Sequence, residues 1–317
     1  MADRATNLVA SAARMYYLDG RDQQEIAAIL TVSRSTVSRL LTSARERGIV
    51  RISVDEYDPY DRRLEARLTD RFDLHHSVVV RTMGRPAENV RGLVGYFAAP
   101  AIARLIDSGM TLGVAGGRTL GVLVGSMRPE PEVRNVTAVQ LMGYIGPTAT
   151  GIDAPELSRA LADRFGGTFY TLAAPAFVQD APARDMLLAH EHIRQVWGLF
   201  DSLDLAFVGI GSLDESAFVE RDMLGPADRA RLRDAGVVGE ICGRFFDRDG
   251  RECATEYRDR VLSIDLDALR RRPDVVGVTN GPRRTAAVWA ALRGGLITSL
   301  VIDDVGAAAV LAADDDA

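Results

Sequence analysis

The chain has 317 residues, 47% hydrophobic and 26% charged, enough for about two domains whose cores need no cross-links. No apolar run approaches the roughly 18 residues of a membrane span, and the polar start lacks a secretory-type apolar core, so the expected location is cytoplasmic with no membrane partner. The net charge of −6 excludes a uniformly basic nucleic-acid coat, yet residues 1–54 carry eight arginines against five acids, a net +3 that leaves −9 for the rest.

In chain order, Leu8, Val9, Ala12, Met15 and Tyr16 recur at helical spacing over 5–17, with Gly20 as a stop. Residues 23–30 read as a short second helix with Ile26, Ala27 and Leu30 inward. Ser33 offers an N-cap hydroxyl to a third helix from Arg34 to about Arg47, with Val37, Leu40 and Leu41 inward and Gly48 closing it. Residues 49–54 then read as a strand, a wing or the edge of a small sheet. The polar, proline-containing run 55–63 has no clear period and marks a linker. The expected domains are therefore 1–54, the linker 55–63, and 64–317.

Beyond the linker, strand-like runs alternate with helical patterns. Strands are predicted at 77–81, 111–115, 136–141, 168–172, 205–209, 240–246, 261–264, 275–279 and 299–303. Helices are predicted at 89–107, 119–127, 154–165, within 181–200, and at 226–235 and 282–292. Such alternation implies a doubly wound, mainly parallel, Rossmann-like sheet covered on both faces. The fold class is α/β with an N-terminal helix-turn-helix, winged-helix-like domain. The stripe Leu93, Val94, Phe97, Ala98 and Ile102 reads as core in preference to a subunit contact, and the acidic tail as frayed.

A helix-turn-helix needs a small residue where its helices cross, apolar anchors at set offsets, and short polar or basic residues on the outer face of the second helix. Ala27 is the small residue, and Val37 and Leu40 are the anchors. Ser33, Arg34, Ser35, Thr36, Ser38, Arg39 and Thr42 supply the outward face, where arginine can pair with guanine and hydroxyls reach bases or phosphates of double-stranded DNA. Thr31 occupies the turn position where glycine is frequent, so a strained or altered turn is expected.

In the body, Gly116, Gly117, Arg118 and Thr119 lie where a strand feeds a helix, and backbone N–H groups there can cradle a phosphate or sugar hydroxyls with Arg118 as counter-charge. Tight strand-to-helix packing would use the same glycines. Similar turns recur at Gly143 to Gly146, Gly209 to Ser212, and Asn280, Gly281 and Pro282 to Arg284. In open α/β sheets ligands sit beyond the carboxyl ends of the strands, where these loops would gather into one pocket.

Residues 15–20 (Met-Tyr-Tyr-Leu-Asp-Gly) with 24–27, the turn 116–119, residues 239–247 (Gly-Glu-Ile-Cys-Gly-Arg-Phe-Phe-Asp) and residues 290–297 resemble the SorC-type sugar-binding transcriptional regulators over nearly the whole chain. That resemblance implies a body of the sugar-phosphate isomerase and deaminase fold. It also implies a homotetramer or dimer of dimers, operator DNA as partner, and a sugar, sugar-phosphate or polyol effector that alters DNA binding. It places Gly116, Gly117, Arg118 and Thr119 against the effector's phosphate or terminal hydroxyl, with Gly143, Asp153, Gly211, Glu240, Asn280, Gly281 and Arg284 lining the rest. Arg284 stands where many relatives carry lysine, and Asn280 where glycine is usual, which would bias the pocket toward a polyol. Lysine is absent throughout, so no side-chain imine can form.

The alternatives are a sugar-phosphate isomerase or deaminase, with Asp153, Asp247 and Asp303 as candidate bases, and a ligand-free oligomerisation platform. No cofactor is implied. Cys242 and Cys253 match no disulfide framework or metal spacing, and neither His75-His76 nor His190 with His192 directs two imidazoles to one metal.

Overall fold

The computed structural model describes residues 2–51, 57–146 and 150–315. They form two compact units, 1–58 and 59–317.

The first unit is three helices: α1 (Ala2–Tyr17), α2 (Gln23–Leu30) and α3 (Arg34–Glu46). Val9, Ala12, Ala13, Ile26, Ala27, Val37, Leu41 and Ala44 bury into one small core, so the inward faces are largely those the spacing predicts, although Leu8, Met15, Leu30 and Leu40 are only half-buried and Tyr16 is exposed. Asp22 caps α2 by accepting from the backbone N–H groups of Gln24 and Glu25 at 2.7 and 2.9 Å, while the Glu25 carboxylate accepts from the Asp22 N–H at 2.9 Å. Ser33 caps α3, its hydroxyl accepting from the Thr36 N–H at 3.1 Å. The strand expected at 49–54 is not formed at 49–51, where Val50 N–H donates back to the Ala44 carbonyl, and residues 52–54 lie outside those described.

The second unit comprises α4 (Arg62–Phe72), β1 (His76–Val80), α5 (Ala87–Ala103), β2 (Thr111–Val114), α6 (Arg118–Ser126), β3 (Thr137–Gln140), α7 (Ala154–Arg164) and β4 (Thr168–Tyr170). It continues with α8 (Ala181–Ala189), α9 (Glu191–Gly198), β5 (Leu205–Gly209), α10 (Ala217–Glu220), α11 (Pro226–Asp234), β6 (Gly239–Ile241) and β7 (Arg244–Phe246). It ends with α12 (Leu266–Arg270), β8 (Asp274–Val278), α13 (Thr285–Arg293), β9 (Ser299–Asp303) and α14 (Asp304–Asp315). Seven strands make one parallel sheet in the order β1-β9-β8-β5-β2-β3-β4, with β2 registered on β5 through Leu112 opposite Leu205 and Val114 opposite Phe207. The central strand β5 is apolar throughout, as burial on both faces requires: Leu205, Ala206, Phe207 and Val208 are all buried, whereas the edge strand β4 is exposed throughout. Val94, Ala98 and Ile102 of α5 are buried, with Leu93 and Phe97 packed beside them.

Three expectations are corrected. The single strand at 240–246 is an antiparallel hairpin, because Cys242 and Gly243 take positive φ (54° and 75°) and turn the chain between β6 and β7. Residues 261–264 make only isolated bridges, Val261 with Phe177 and Ser263 with Met142. Arg62 and Arg63, read as linker, already belong to α4, whose Leu64 and Leu68 are core residues. Helix α14 is anchored by buried Ala307, Val310 and Leu311.

Thr31 ends α2 at φ 53°, ψ 47°, the left-handed region that disfavours a β-branched side chain. The turn thus keeps the geometry a glycine would adopt, at a cost of about 1–2 kcal/mol. Thr31→Gly is expected to stabilise the three-helix unit by about 1 kcal/mol after the extra chain entropy of glycine is counted. The measurement is native-state hydrogen exchange, with slower exchange in α2 and α3 and none of the change in the sheet unit.

Candidate functional site

On the head, the outer face of α3 is open. Arg34, Ser35, Ser38, Arg39 and Thr42 are exposed, and Thr36 is half-buried. The Ser33 hydroxyl lies 2.8 Å from both the Ser35 and Thr36 hydroxyls, and Arg39 reaches Thr36 Oγ1 at 3.5 Å. A row of hydroxyls and two guanidiniums therefore surrounds a helix N-terminus whose first N–H groups point outward. This arrangement suits phosphate and base edges alike.

In the body, the sheet order reverses between β2 and β5: β3 and β4 lie on one side of that pair, β8 and β9 on the other. A cleft of about 850 Å³, counting space open to solvent, sits at the carboxyl ends of β2, β5 and β8. The turn of Gly116, Gly117, Arg118 and Thr119 forms one wall, with Asp153, Gly211, Glu240 and Arg284 on the others. Eight of the predicted residues are thus brought together.

Three others are not cleft-lining. Gly143 is packed against backbone, since a Cβ there would lie 2.5 Å from the Ala174 and Pro175 carbonyl oxygens. Asn280 stands behind the wall, its side-chain oxygen accepting from the Thr119 hydroxyl at 2.9 Å and its carbonyl accepting from Arg284 at 3.0 Å. Gly281 N–H is tied to the buried Asp303 carboxylate. The alternative bases Asp247 and Asp303 also lie outside the cleft lining: Asp303 accepts from Gly281 and Gly306, and Asp247 caps its own loop by accepting from Asp249 and Arg251.

The cleft also holds residues that strand-end reasoning missed. Arg91 comes from α5, and Glu215, Ser216, Glu220 and Arg221 come from the segment after β5. Arg118 pairs with Glu220, Arg221 with Asp153, and Arg284 with Glu215 at 3.3 Å. Arg221 further donates to the Ile145 carbonyl and, at 2.8 Å, to Thr150 Oγ1. Helical spacing or a glycine turn carries no signal for such pairs, because their partners are about 70–100 residues apart in sequence.

Glu240 is buried on β6, its carboxylate accepting from the Gly243 N–H at 3.0 Å. Its oxygen lies over Gly211, where even a methyl group would approach it to 2.2 Å. Burial lifts this carboxyl to about 7, against the Gly243 hydrogen bond and the charge of Arg284, which both lower it. Near neutrality it can therefore donate or accept a hydrogen bond, as recognition of a hydroxyl requires. The neighbouring Cys242 thiol is pushed up by burial and by Glu240, so it stays protonated and unreactive.

The Sugar-bind family model, a sugar-binding domain, matches residues 60–312, and that of Sigma-70, region 4, matches residues 14–47. Among curated proteins, the transcriptional regulator YjhU of Escherichia coli (strain K12) is 32% identical over 95% of this chain and 93% of its own length. The sorbitol operon regulator of Klebsiella pneumoniae is 30% identical, over 93% of this chain and 94% of that one. The crystal structure of full-length SorC from Klebsiella pneumoniae superposes with a TM-score of 0.76 at 28% identity, covering 96% and 98% of the two chains.

In the unfolded chain Glu240 ionises near 4.5, but in the folded protein it holds its proton to about 7. Its ionisation therefore costs stability progressively between those values, and the full penalty stands above the upper one. Glu240→Gln is expected to melt higher relative to the parent at pH 8 than at pH 5. A gap between the two proteins that is constant across that range would contradict the elevated value.

Proposed function

The chain belongs to the SorC/DeoR-like family of sugar-binding transcriptional regulators, and we propose how it performs that role with its own residues. It is a DNA-binding regulator of carbohydrate or polyol catabolism under the control of a small effector. No described helix is long and apolar enough to cross a membrane, in keeping with a regulator that works in the cytoplasm.

Domain 1–54 grips operator DNA through Ser33, Arg34, Ser35, Thr36, Ser38 and Arg39 at the start of α3, and domain 64–317 binds the effector and the other subunits of a homotetramer. The effector lies in the strand-end cleft against Gly116, Gly117, Arg118 and Thr119, with Asp153, Gly211, Glu240 and Arg284 reading its hydroxyls. Gly143, Asn280 and Gly281 serve the same site by holding its walls. The observation that carries this reading is the convergence of the glycine turn, the arginines and the buried Glu240 at the topological reversal of the sheet. Binding there shifts DNA affinity only as far as the effector distinguishes two arrangements of the assembly.

Two variants test the halves separately. Fragments of genomic DNA retained by the purified parent supply the target for band shifts. Arg34→Ala with Arg39→Ala, still folded and assembled, is expected to weaken that target at least roughly tenfold and to flatten the salt dependence of binding. Undiminished binding would overturn the role of α3. Arg118→Ala is expected to leave DNA binding intact in the absence of small molecules while abolishing the response to sugars, polyols and their phosphates; a preserved response would move the effector elsewhere.

A further inference from the structure

Three helices of the second unit finish at the rim of the sheet opposite the cleft. α4 ends just before β1 and α13 just before β9, so both stop where those parallel strands begin. α14 follows the carboxyl end of β9 directly, packs against α4 and α13, and so runs back to the same rim. Its start is fastened: Gly306 N–H donates to the buried Asp303 carboxylate at 3.0 Å, and Thr82 N–H donates to Asp304 at 3.0 Å. Buried Ala307, Val310 and Leu311 seat its middle.

The last turn of α14 runs against the usual charge rule. Asp314 and Asp315 close the helix and Asp316 follows, with no basic residue anywhere after Arg293. Carboxylates at a helix C-terminus meet the negative end of its dipole, which raises their energy unless a cation lies close. The side chains of this acidic tail, read from the sequence as frayed, lie outside those described. Where α4 and α13 end, a groove of about 970 Å³, counting space open to solvent, is lined by Arg71, Phe72, Asp73, Trp289, Leu292 and Arg293. Arg71 and Arg293 are exposed there, each in the last turn of its own helix, and the Arg293 guanidinium lies 5.0 Å from the centre of the half-buried Trp289 ring. Arg293 also stands 3.9 Å from the Asp249 carboxylate, beyond hydrogen-bond reach.

We propose that the acidic segment 314–316 docks as a clasp in this groove of its own chain, with its carboxylates against Arg71 and Arg293 and its backbone over the Trp289 ring. Two observations select this occupant over another molecule. The segment leaves α14 at the rim where the groove lies, so docking closes only a very short loop. Its charge is opposite to that of the groove, where two guanidiniums face one carboxylate, Asp73. Docking therefore offsets both the positive excess of the groove and the dipole penalty of the helix. α14 is then fixed at both ends, and the Asp303 carboxylate at its start also accepts from the Gly281 N–H behind the cleft wall. The clasp thus braces the helix on which that turn leans.

The experiment is hydrogen exchange of the full chain, read by mass spectrometry on overlapping peptides from 304–317 and corrected for intrinsic amide rates. The tail variant carries Asp314→Asn, Asp315→Asn and Asp316→Asn; the groove variant carries Arg71→Gln and Arg293→Gln. The helix dipole alone predicts that removing the acids slows exchange at the end of α14. The clasp predicts the opposite sign, with exchange there at least about twofold faster at low ionic strength, a modest effect because exposed ion pairs are weak. In the groove variant the same tail substitutions are expected to slow exchange, and at about 1 M salt the acceleration is expected to vanish. Trp197→Phe leaves Trp289 as the one tryptophan, and its quenching by acrylamide is expected to rise when the tail acids are replaced.

Exchange slowed or unchanged by the tail substitutions in the parent overturns the proposal, as does an acceleration that persists when Arg71 and Arg293 are replaced. Unchanged quenching of Trp289 likewise overturns seating in the groove. An acceleration that disappears on dilution, as the assembly dissociates, assigns the groove to the tail of a second copy and overturns the clasp within one chain. Both readouts need neither DNA nor effector, so failure of the clasp leaves the proposed function standing.

Discussion

The organising constraint of the body is that every strand of its seven-stranded sheet runs parallel. A parallel strand must deliver the chain to its next element from the same edge of the sheet, so loops after β2, β5 and β8 crowd onto one rim. Where the order reverses between β2 and β5, neighbouring connections diverge and leave a crevice. The cleft is the direct product of that divergence. It requires no special loop: the glycine turn at 116–117, the segment after β5 and the Asn280 loop meet because backbone pairing brings their strands side by side.

Into that crevice the chain places charge in an economical pattern. Every cationic side chain of the protein is arginine or histidine, so the cleft's positive charge is fixed over the physiological range. Its variable element is the buried carboxyl of Glu240, whose titration falls at about 7. Two of the carboxylates that hold the arginines, Glu215 and Glu220, belong to one short stretch after β5, capped by the Ser216 hydroxyl, which accepts from the Val219 N–H at 3.3 Å. An anion competing for Arg118 or Arg284 would therefore be felt along a single segment instead of being dispersed across the fold. The buried Arg244, by contrast, is consumed structurally: it joins Glu252 and Asp265 and donates to the Ser263 and Ile264 carbonyls, which fastens the β6–β7 hairpin and hence Glu240.

The head follows different physics. Its core is only a handful of side chains on three helices, so caps and turns matter more in proportion than they do in the body. Asp22 and Ser33 satisfy the starts of α2 and α3, while Thr31 accepts left-handed backbone to keep the turn between them tight. The result holds the N-terminal end of α3 in the open, with its hydroxyls already bonded to one another and its guanidiniums exposed.

The amino-acid pattern was sufficient for the helices of the head, for most strands of the sheet and for six of the cleft residues, because each of these rests on local signals, whereas Asp153 and Glu240 were reached only through the family resemblance. Periodicity marks a buried face, a hydroxyl before a helix marks a cap, and glycine after an apolar run marks a strand-to-helix turn. It misread 240–246 as one strand because Cys242 adopts a positive φ that composition does not announce, and it missed α4 where a polar run hid Leu64 and Leu68. Which turn lines the cleft and which merely packs, as Gly143 does, and which carboxylate faces which arginine there, as Glu220 faces Arg118, were decided by tertiary structure alone. Those distinctions depend on distances between residues far apart in the chain, and only the pairing of strands and the packing of helices sets such distances.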